Sequence, residues 1–378
     1  MINLLIVGDF SPRARLSRLH DMAPADVLGT FHEKVRGADL AMLNLEAPLC
    51  RPEAPIVKTG PSLHSPPETA RFIANSGFDL ACLANNHIMD YGADGLSETM
   101  ATLEHHDIAW TGAGTDLAAA SQPSIHEVRG GTIAILNFAE NEWSTTGGEQ
   151  AGACPIDPIR NHRVIRRCRE SADHVIVVSH GGHERHRLPS PGMRELFHFY
   201  VECGADAVVN HHTHCTSGYE VYQGAPIFYS VGNFLFDSSH DKSGPWTQGM
   251  AVELHLRTKS IDFSLHHFNQ CTADTLFEIV DENEASRRNK QIQQLNQVIE
   301  DPADLETAFA ELVSQRQREY QSYLEPRFSR LISAAQRRGW LPSFIRHRHR
   351  ALLLNLIRCE SHRELLIELL KRDIDRRC

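Results

Sequence analysis

The stretch DAVVNHHTH, residues 206–214, decides the fold, because it joins a short apolar run to a cluster of polar side chains. Residues 207–209 are apolar and rich in valine, as in a buried β-strand. Three of the next five residues are histidines, His211, His212 and His214. On an extended segment His212 and His214 share one face, so both rings can reach one site. The pattern predicts a strand that ends at a functional site.

The same pattern recurs along the first 270 residues. The other apolar runs, INLLIVG, DLAMLNL, DLACLA and HVIVVS, also end in polar groups and are separated by helix-like segments. This alternation predicts an α/β sheet, whose functional groups gather beyond the carboxyl ends of the strands. These strand-end groups are Asp9, Asn44, Glu46, Asn85, Asn86, His87, Asp90, His180, His183, Glu184 and the histidines of residues 211–214.

The organisation of the chain changes after about residue 270. Consecutive strand-like runs between residues 216 and 268 make the predicted sheet a mixed one. Helical apolar spacing then dominates in residues 283–300, 302–338 and 348–374. We therefore predict an α/β domain over residues 1–270 and a helical region over residues 271–378.

Composition and charge restrict the class of protein. The chain has 378 residues, of which 41% are hydrophobic and 23% charged, as in soluble globular proteins. No apolar run approaches the ~20 residues of a membrane span, and the first residues lack a basic leader. Nine cysteines without a CxxC pair favour reduced, buried thiols. These features predict a cytoplasmic protein without a transmembrane segment.

The charges argue against nucleic acid as a partner. The net charge is −10, although residues 327–378 contain thirteen Lys and Arg against five Asp and Glu. The basic run at 346–350, RHRHR, lacks interleaved aromatic residues for base stacking, so solvated helix faces or a lid over a substrate are favoured. The chain contains neither a GxSxG elbow nor a GxxxxGK[ST] loop, which leaves serine-hydrolase and ATP-driven chemistry unsupported.

The mixed oxygen and nitrogen groups at the strand ends favour metal chemistry. Structural zinc sites are mostly rich in cysteine, whereas this set suits two open-sided cations such as Mn²⁺, Zn²⁺ or Fe²⁺. Two such ions, joined by a bridging carboxylate, polarise a phosphoryl oxygen and activate water. The residues therefore predict two divalent metal ions and hydrolysis of a phosphoester.

The ordered motifs resemble the CapA family of poly-γ-glutamate or capsule synthesis proteins, which is similar to a branch of the calcineurin-like metallophosphatases. The motifs are GD (8–9), NLE (44–46), ANNHIMDYG (84–92), SHGGHE (179–184), NHHTHC (210–215) and YSVGNFLFD (229–237). The resemblance covers residues 1–270. It implies a metallophosphatase-like α/β/β/α sandwich of two mixed sheets, here with a helical C-terminal appendage.

The resemblance also implies roles for individual residues. The implied metal ligands are Asp9 for the first ion, Glu46 as the bridge, Asn86 and His180 for the second ion, and His212 and His214 to complete the pair. His87 is the implied catalytic residue and Asp90 the carboxylate that orients it. His211 stands where the phosphatase pattern has glycine, and it is expected to pack beside the ligands.

Three further residues are candidates for substrate binding. Glu184 belongs to the family's HxGxE pattern, while Lys58 in a loop and Asn233 after a strand could reach the site. As a lone lysine, Lys58 is more often solvated surface. Two positions depart from the phosphatase pattern: Ser11 replaces a histidine, and Glu46 replaces the usual aspartate.

These observations predict a dinuclear metal-dependent hydrolase of phosphoester type that acts in capsule or cell-surface polymer biosynthesis. The expected substrate is phosphorylated or polyanionic, and capsule-synthesis proteins are possible partners. Two alternatives remain open. The first is a non-catalytic metal-binding subunit of a polymer-synthesising complex, and the second is a hydrolase or transferase that acts on γ-glutamyl amide bonds.

Overall fold

A computed structural model describes residues 1–324, apart from 52 and 259, and residues 346–375, together with the single positions 335, 338 and 340. Within these residues the chain forms two large β-sheets that pack face to face, with helices on the outer face of each. The predicted α/β/β/α sandwich is confirmed.

The first sheet contains eight strands. They are β1 (Ile2–Ser11), β2 (Leu40–Leu45), β3 (Leu80–Cys82), β4 (Ala109–Thr111), β13 (Asn233–Phe236), β14 (Gln248–Arg257), β15 (Ser260–Gln270) and β16 (Phe277–Ile279). Their order is β16-β15-β14-β1-β2-β3-β4, with β13 also paired to β1. Strands β1, β2, β3 and β4 run parallel, and β13 is parallel to β1, whereas β14, β15 and β16 pair antiparallel. The sheet is therefore mixed.

The second sheet contains six strands. They are β6 (Ser124–Val128), β7 (Gly131–Ala139), β9 (His174–His180), β10 (Ala207–His211), β11 (Tyr219–Tyr222) and β12 (Ala225–Phe228). Their order is β11-β12-β10-β9-β7-β6. The centre, β7, β9, β10 and β12, is parallel, and the two edge strands pair antiparallel. Two short strands, β5 (Ala113–Gly114) and β8 (Gly152–Ala153), form a separate ribbon.

The helices of the first 270 residues cover the two outer faces. In the first 270 residues they are α1 (Pro24–Leu28), α2 (Phe31–Gly37), α3 (Thr69–Ser76), α4 (Gly92–His105), α5 (Leu117–Ala120), α6 (Pro158–Ser171) and α7 (Pro191–Glu202). The C-terminal helices are α8 (Glu282–Glu300), α9 (Pro302–Leu324), α10 (His347–Arg358) and α11 (Glu360–Asp375). None of the described helices combines the length and hydropathy that a membrane-spanning segment requires.

Alternation of apolar side chains along the strands builds the layers. In β1, Leu4 and Ile6 pack in the cluster between the sheets, while Leu5 packs with Phe31 of α2 on the outer face. In β9, Val178 joins the inter-sheet cluster, and the neighbouring side chains pack against α6 and α7. Because successive residues of a strand point to opposite faces, strands that are apolar throughout have both faces buried.

The C-terminal helices agree with the helical spacing in the sequence, with one difference. The helix predicted over 348–374 is broken at Cys359, whose backbone is extended (φ −70°, ψ 129°). This break turns Cys359 and Ser361 toward the buried carboxylate of Glu140, to which both side chains donate hydrogen bonds. Residues 325–334, most of the remainder of the helix predicted over 302–338, lie outside the described residues. Strand β16 pairs with β15 beyond the predicted domain boundary at residue 270, and that boundary stays a prediction.

The eight cysteines that the structure describes are all buried and free of disulfides, as the sequence predicts. Burial raises the pKa of several of their thiols, for example that of Cys82 to about 12. A thiol with a raised pKa is a poor nucleophile and metal ligand, so these cysteines are packing residues.

Candidate metal centre

The carboxyl ends of the parallel strands bring the predicted ligands together. Asp9 lies near the end of β1, and Glu46 directly follows β2. His180 ends β9, and His212 follows β10 in the facing sheet. All six predicted ligand side chains meet at this edge, where both sheets end.

A first group of possible ligands contains Asp9, Glu46 and His214, each offering one atom within 4.8 Å of the others. Nδ1 of His214 is 3.3 Å from Oδ2 of Asp9, and Nε2 of the same ring is 3.7 Å from Oε1 of Glu46. All three residues are buried. Two carboxylates and one imidazole form the kind of mixed set that binds Mn²⁺, Fe²⁺ or Zn²⁺.

A second group contains Glu46, His180 and His212, again within 4.8 Å of one another. Nε2 of His180 is 3.7 Å from Oε1 of Glu46 and 3.1 Å from Nδ1 of His212. Oδ1 of Asn86 lies 3.1 Å from the same nitrogen of His180, so an amide oxygen is also present. Glu46 belongs to both groups, which is the position that a bridging carboxylate requires.

The environment of Glu46 fits a cation. Both carboxylate oxygens are buried, and neither has a hydrogen-bond partner. Burial and the negative charge of Asp9 raise the pKa of Glu46 well above its usual value. Two neighbouring buried carboxylates without a hydrogen-bond donor for one of them are unfavourable unless a positive charge lies between them. These buried acidic and histidine groups could therefore hold metal ions.

Asp9 differs from Glu46 because histidines surround it. Burial works to raise its pKa, but the nearby imidazoles of His211, His214 and His180 hold it well below the usual value. Nδ1 of His211 is 3.4 Å from Oδ1 of Asp9, while the backbone N–H of His212 donates to Oδ2 at 3.2 Å. Asp9 is therefore the carboxylate of the pair that stays ionised without a cation.

The two ligand histidines after β10 stand in a strained turn. His212 has φ 88° and His214 has φ 56°, a left-handed conformation that non-glycine residues rarely adopt. The prediction that this segment is extended is therefore wrong. The centroids of the two rings nevertheless lie only 6.1 Å apart. Such strain of about 1–3 kcal/mol per residue occurs mostly at functional sites.

The backbones at Gly8 and Gly232 approach each other closely, and this approach places Asn233 beside His214. A Cβ atom at Gly8 would lie 2.0 Å from the carbonyl oxygen of Gly232, so only glycine fits at position 8. The adjacent Asn233 is fully buried, and its Oδ1 lies 3.0 Å from Nδ1 of His214. In the structure Asn233 therefore orients His214, and its predicted role in substrate binding stays a prediction.

His87, Asp90 and Lys58 form a connected group beside the ligands. Nδ1 of His87 is 2.7 Å from Oδ2 of Asp90 and 3.1 Å from Nζ of Lys58. Lys58 also forms an ion pair with Asp90, and its side chain is only 3% exposed. The prediction that Lys58 lies on the solvated surface is wrong, because its ammonium group forms an ion pair with the fully buried Asp90.

The protonation of His87 follows from this arrangement. Burial lowers its pKa, the hydrogen bond from its ring to Asp90 opposes this, and the charge of Lys58 lowers it further. Nδ1 is engaged by Asp90 and Lys58, which leaves Nε2 as the ring atom available to a ligand. Asn85, whose amide bonds to the carbonyl oxygen of Leu45 at 2.8 Å, holds the loop that carries His87.

The sequence assigns no role to two residues at the centre, Asn44 and Glu142, although Asn44 is one of the strand-end groups. The amide of Asn44 donates to Oδ1 of Asp9 at 2.7 Å and lies 3.2 Å from Nδ1 of His180, which links the two ligand groups. Its place before Glu46 in NLE was the available signal. Glu142, in the loop after β7, has an oxygen 3.9 Å from Nε2 of His212. No sequence pattern marks Glu142, because that loop has no strand-end motif.

A cavity of about 390 Å³ opens beside Asn86, His87 and His212. The predicted substrate residues Lys58 and Glu184 both line it. Residues of α9, α10 and α11 form another part of its wall. The candidate metal centre thus faces a cavity of the size that small ligands occupy, which is roughly 300–1,000 Å³.

The fold and this site together define a class: a metallophosphatase-like sandwich with carboxylate and histidine ligand groups at its crest. The model of the family described as "Bacterial capsule synthesis protein PGA_cap" matches residues 3–238, which is more than half of the chain. The chain belongs to this family.

Relatives with curated names agree with the family. The "PGA biosynthesis protein CapA" of Bacillus subtilis is 29% identical over 266 residues, which cover 68% of each chain. The "Capsule biosynthesis protein CapA" of Bacillus anthracis is 33% identical over 199 residues, and the alignment covers 50% of this chain and 47% of that protein. The chain thus aligns with about half the length of the second relative.

A relative from Mycobacterium tuberculosis (strain ATCC 25618 / H37Rv) has the name "Probable polyglutamine synthesis accessory protein" and is 29% identical over 171 residues, 42% of this chain and 45% of that protein. Among solved structures, a hypothetical protein from Thermus thermophilus is similar, with a TM-score of 0.45 and 18% identity. That similarity covers 71% of this chain and 99% of the other.

Proposed function

We propose that this protein is a dinuclear metal-dependent hydrolase of phosphoesters, with a role in capsule or cell-surface polymer synthesis. The observation that carries the proposal is Glu46, a buried carboxylate without hydrogen-bond partners that belongs to both ligand groups. The family supports the pathway, since its members and relatives are named for capsule or poly-glutamate synthesis.

The ligand assignment follows the two groups. Asp9, Glu46 and His214 hold one divalent ion, and Glu46, His180 and His212, with Asn86, hold the other. Bound there, two divalent ions supply Lewis acidity toward a phosphoryl oxygen and lower the pKa of water. Asn44 and Asn233 fix the orientations of Asp9 and His214 through hydrogen bonds.

His87 is the proton carrier of this proposal. Its Nδ1 is held by Asp90, so its Nε2 faces the cavity and donates a proton to the leaving oxygen of the substrate. Because burial lowers the pKa of His87, the imidazolium is the minor form near neutral pH, and it releases its proton readily once it has formed. Lys58 positions the pair by contacting both His87 and Asp90.

Metal analysis and turnover test the proposal together. We expect purified protein to contain two equivalents of Mn, Fe or Zn and to hydrolyse phenyl phosphate or bis-phenyl phosphate. A His87→Ala variant should retain the metals and lose turnover by about 10²–10⁴-fold, the range of general acid catalysis. A wild-type protein that holds no metal, or that turns over no phosphoester, overturns it.

A second candidate function is that of a metal-binding accessory subunit without turnover. It is favoured by the accessory role in the name of the Mycobacterium tuberculosis relatives. Retention of two metal equivalents without hydrolysis of any phosphoester supports this candidate. Release of glutamate from poly-γ-glutamate would instead support an amide hydrolase.

A further inference from the structure

The C-terminal helices form one wall of the cavity beside the metal centre. Asn86 and His212 line its inner side. The helical side contains an apolar part, formed by Leu352 and Leu356 of α10 and Leu365 of α11, and a polar part, formed by Arg316, Glu319, Tyr320, Asn355 and His362. The matched family region ends at residue 238, so this wall lies outside it.

Helix α9 is fixed on the loop after β9. Phe309 stacks on His183 with ring centroids 6.0 Å apart. One guanidinium nitrogen of Arg316 donates to the carbonyl oxygen of Glu184 at 3.4 Å. The same loop follows the predicted ligand His180, so α9 is held directly beside the metal centre.

Helices α10 and α11 are fixed on the loop after β7. The amide of Asn355 donates to Glu142 at 3.3 Å, and the backbone N–H of Asn141 donates to Glu360 at 2.9 Å. Tyr320 of α9 and His362 of α11 are also hydrogen-bonded, with 2.6 Å between Oη and Nδ1. The three helices therefore span the cavity from one loop to the other.

The cations around this cavity are already paired within the protein. Lys58 is paired with Asp90. Arg185 pairs with Asp241 at 2.9 Å, and Arg316 pairs with Glu319 at 3.0 Å. The cavity is also lined by carboxylates, namely Glu142, Glu184 and Glu319. A long polyanion would therefore meet three carboxylates in this cavity, whereas Lys58, Arg185 and Arg316 already form ion pairs within the protein. This arrangement disfavours binding of a polyanion.

We infer that the helical wall binds a compact, largely apolar group attached to the phosphoryl group of the substrate, and that Leu352 sets the size of that group. This inference rests on the proposed function, and it selects a compact phosphoester over a polyanionic chain as the substrate class. The phosphoryl group lies at the metal centre, and the attached group packs on Leu352, Leu356 and Leu365. About 390 Å³ suits a ring of the size of phenyl with its phosphoryl group.

Binding of two inert analogues tests the wall without requiring turnover. Phenylphosphonate and 1-naphthylphosphonate are titrated into the full-length, Mn²⁺-loaded protein by calorimetry. We expect wild type to prefer phenylphosphonate. Leu352→Ala should improve the affinity ratio for the naphthyl analogue by tenfold or more, and Leu352→Phe should weaken binding of both.

Leu354→Ala is the matched control, because Leu354 lies on the same helix but is 50% exposed. Its affinity ratio should equal that of wild type. Leu352→Met, which keeps the volume, shows whether a change at this position acts through size, and circular dichroism confirms that each variant is folded.

Three results overturn the inference: an unchanged ratio in folded Leu352→Ala, no binding of either phosphonate by metal-loaded wild type, or tighter binding of oligo-γ-glutamate than of phenylphosphonate. Turnover of phenyl phosphate is measured separately. If the affinity ratio shifts in Leu352→Ala but wild type does not hydrolyse phenyl phosphate, the proposed hydrolase is wrong and the role of the helical wall stands. If wild type hydrolyses phenyl phosphate but the ratio is unchanged, the proposed hydrolase stands and the role of the helical wall is wrong.

Discussion

Oε1 of Glu46 lies 3.7 Å from Nε2 of His214. The same oxygen lies 3.7 Å from Nε2 of His180, which belongs to the other ligand group. One carboxylate thus stands between His180, at the end of β9, and His214, in the turn after β10. Without metal, ionised Glu46 is expected to destabilise the folded protein, because it is buried beside Asp9. With metal bound, the same carboxylate would be a ligand shared by both groups.

Replacing Glu46 with glutamine should therefore have opposite effects with and without metal. We expect Glu46→Gln to retain at most one of two metal equivalents by mass spectrometry. Without metal, the variant should be at least as stable as wild type at pH 8, because burial and Asp9 raise the pKa of Glu46 and oppose its ionisation. Thermal melts with and without Mn²⁺ measure both effects.

Glu127→Gln is the control for that experiment, because Glu127 is exposed on β6 and belongs to neither ligand group. It should retain both metal equivalents and the melting temperature of wild type. Equal metal content in Glu46→Gln and wild type would contradict the bridging role.

Lys58 has two candidate roles that the sequence could not distinguish: it either positions His87 and Asp90 or binds the substrate directly. If Lys58 positions His87 and Asp90, Lys58→Met should lower kcat by about 10–100-fold and leave KM unchanged, because Asp90 loses the ion pair that holds it beside Nδ1 of His87 while the cavity keeps its shape. If it binds substrate directly, KM should rise instead. Steady-state kinetics with phenyl phosphate measure this.

Lys34→Met is the matched control, since Lys34 is exposed on α2 and does not line the cavity. Both kinetic constants should stay at their wild-type values. Metal content should be unchanged in both lysine variants, so a loss of metal from Lys58→Met would point to a general disturbance of the centre.

The gathering of the ligands could be predicted from the sequence because parallel strands end at one edge. Asp9, Glu46 and His180 each follow an apolar run, and the strand pairings place those ends side by side. The apolar pattern of each strand predicts where that strand ends, because the same pattern sets the register in which the strands pair. The change in period after residue 270 likewise predicts the C-terminal helices, whereas strand β16 lies beyond that boundary.

Other features depend on packing that no local pattern encodes. The left-handed conformations of His212 and His214 arise where the turn after β10 meets Asp9, 203 residues away in sequence from His212. The burial of Lys58 follows from its ion pair with Asp90. The contact between α11 and Glu140 joins segments 221 residues apart, so a helical period could not reveal it.

Glu140 predicts a pH dependence of stability. Burial raises its pKa to about 8, against hydrogen bonds from Ser361 and Cys359. The unfolded chain loses this proton near pH 4.5, whereas the folded protein keeps it to about pH 8, so folding becomes less favourable as pH rises between the two values. Each unit of this interval corresponds to about 1.4 kcal/mol at most.

Glu140→Gln cannot ionise and should escape this loss. In metal-free buffer we expect its free energy of unfolding, measured by urea, to exceed that of wild type by an amount that grows from pH 5 to pH 8 and then stays constant. Glu127→Gln, at an exposed position of β6, should follow wild type at every pH. A constant difference between Glu140→Gln and wild type across this range would contradict the raised pKa.

Gly8 links the stability of the sandwich to the orientation of His214. A methyl group at Gly8 would lie 2.0 Å from the carbonyl oxygen of Gly232, and both atoms belong to backbones that cannot rotate away. Gly8→Ala must therefore separate β1 from the turn before β13 and should cost about 3 kcal/mol or more in the free energy of unfolding. Asn233 would move with that turn, and the hydrogen bond to His214 would lengthen.

Gly37→Ala is the control for this prediction, because no atom lies within 4 Å of a Cβ there and its backbone is not left-handed. It should change stability by less than about 1 kcal/mol. Urea unfolding measures the two costs, and Mn²⁺ titration of folded Gly8→Ala should show weaker binding at the site of Asp9 and His214. If Gly8→Ala matches Gly37→Ala in stability and Mn²⁺ affinity, the close approach does not hold His214 in place, and the histidine must take its orientation from its other neighbours, among them Asp9 at 3.3 Å and Glu46 at 3.7 Å.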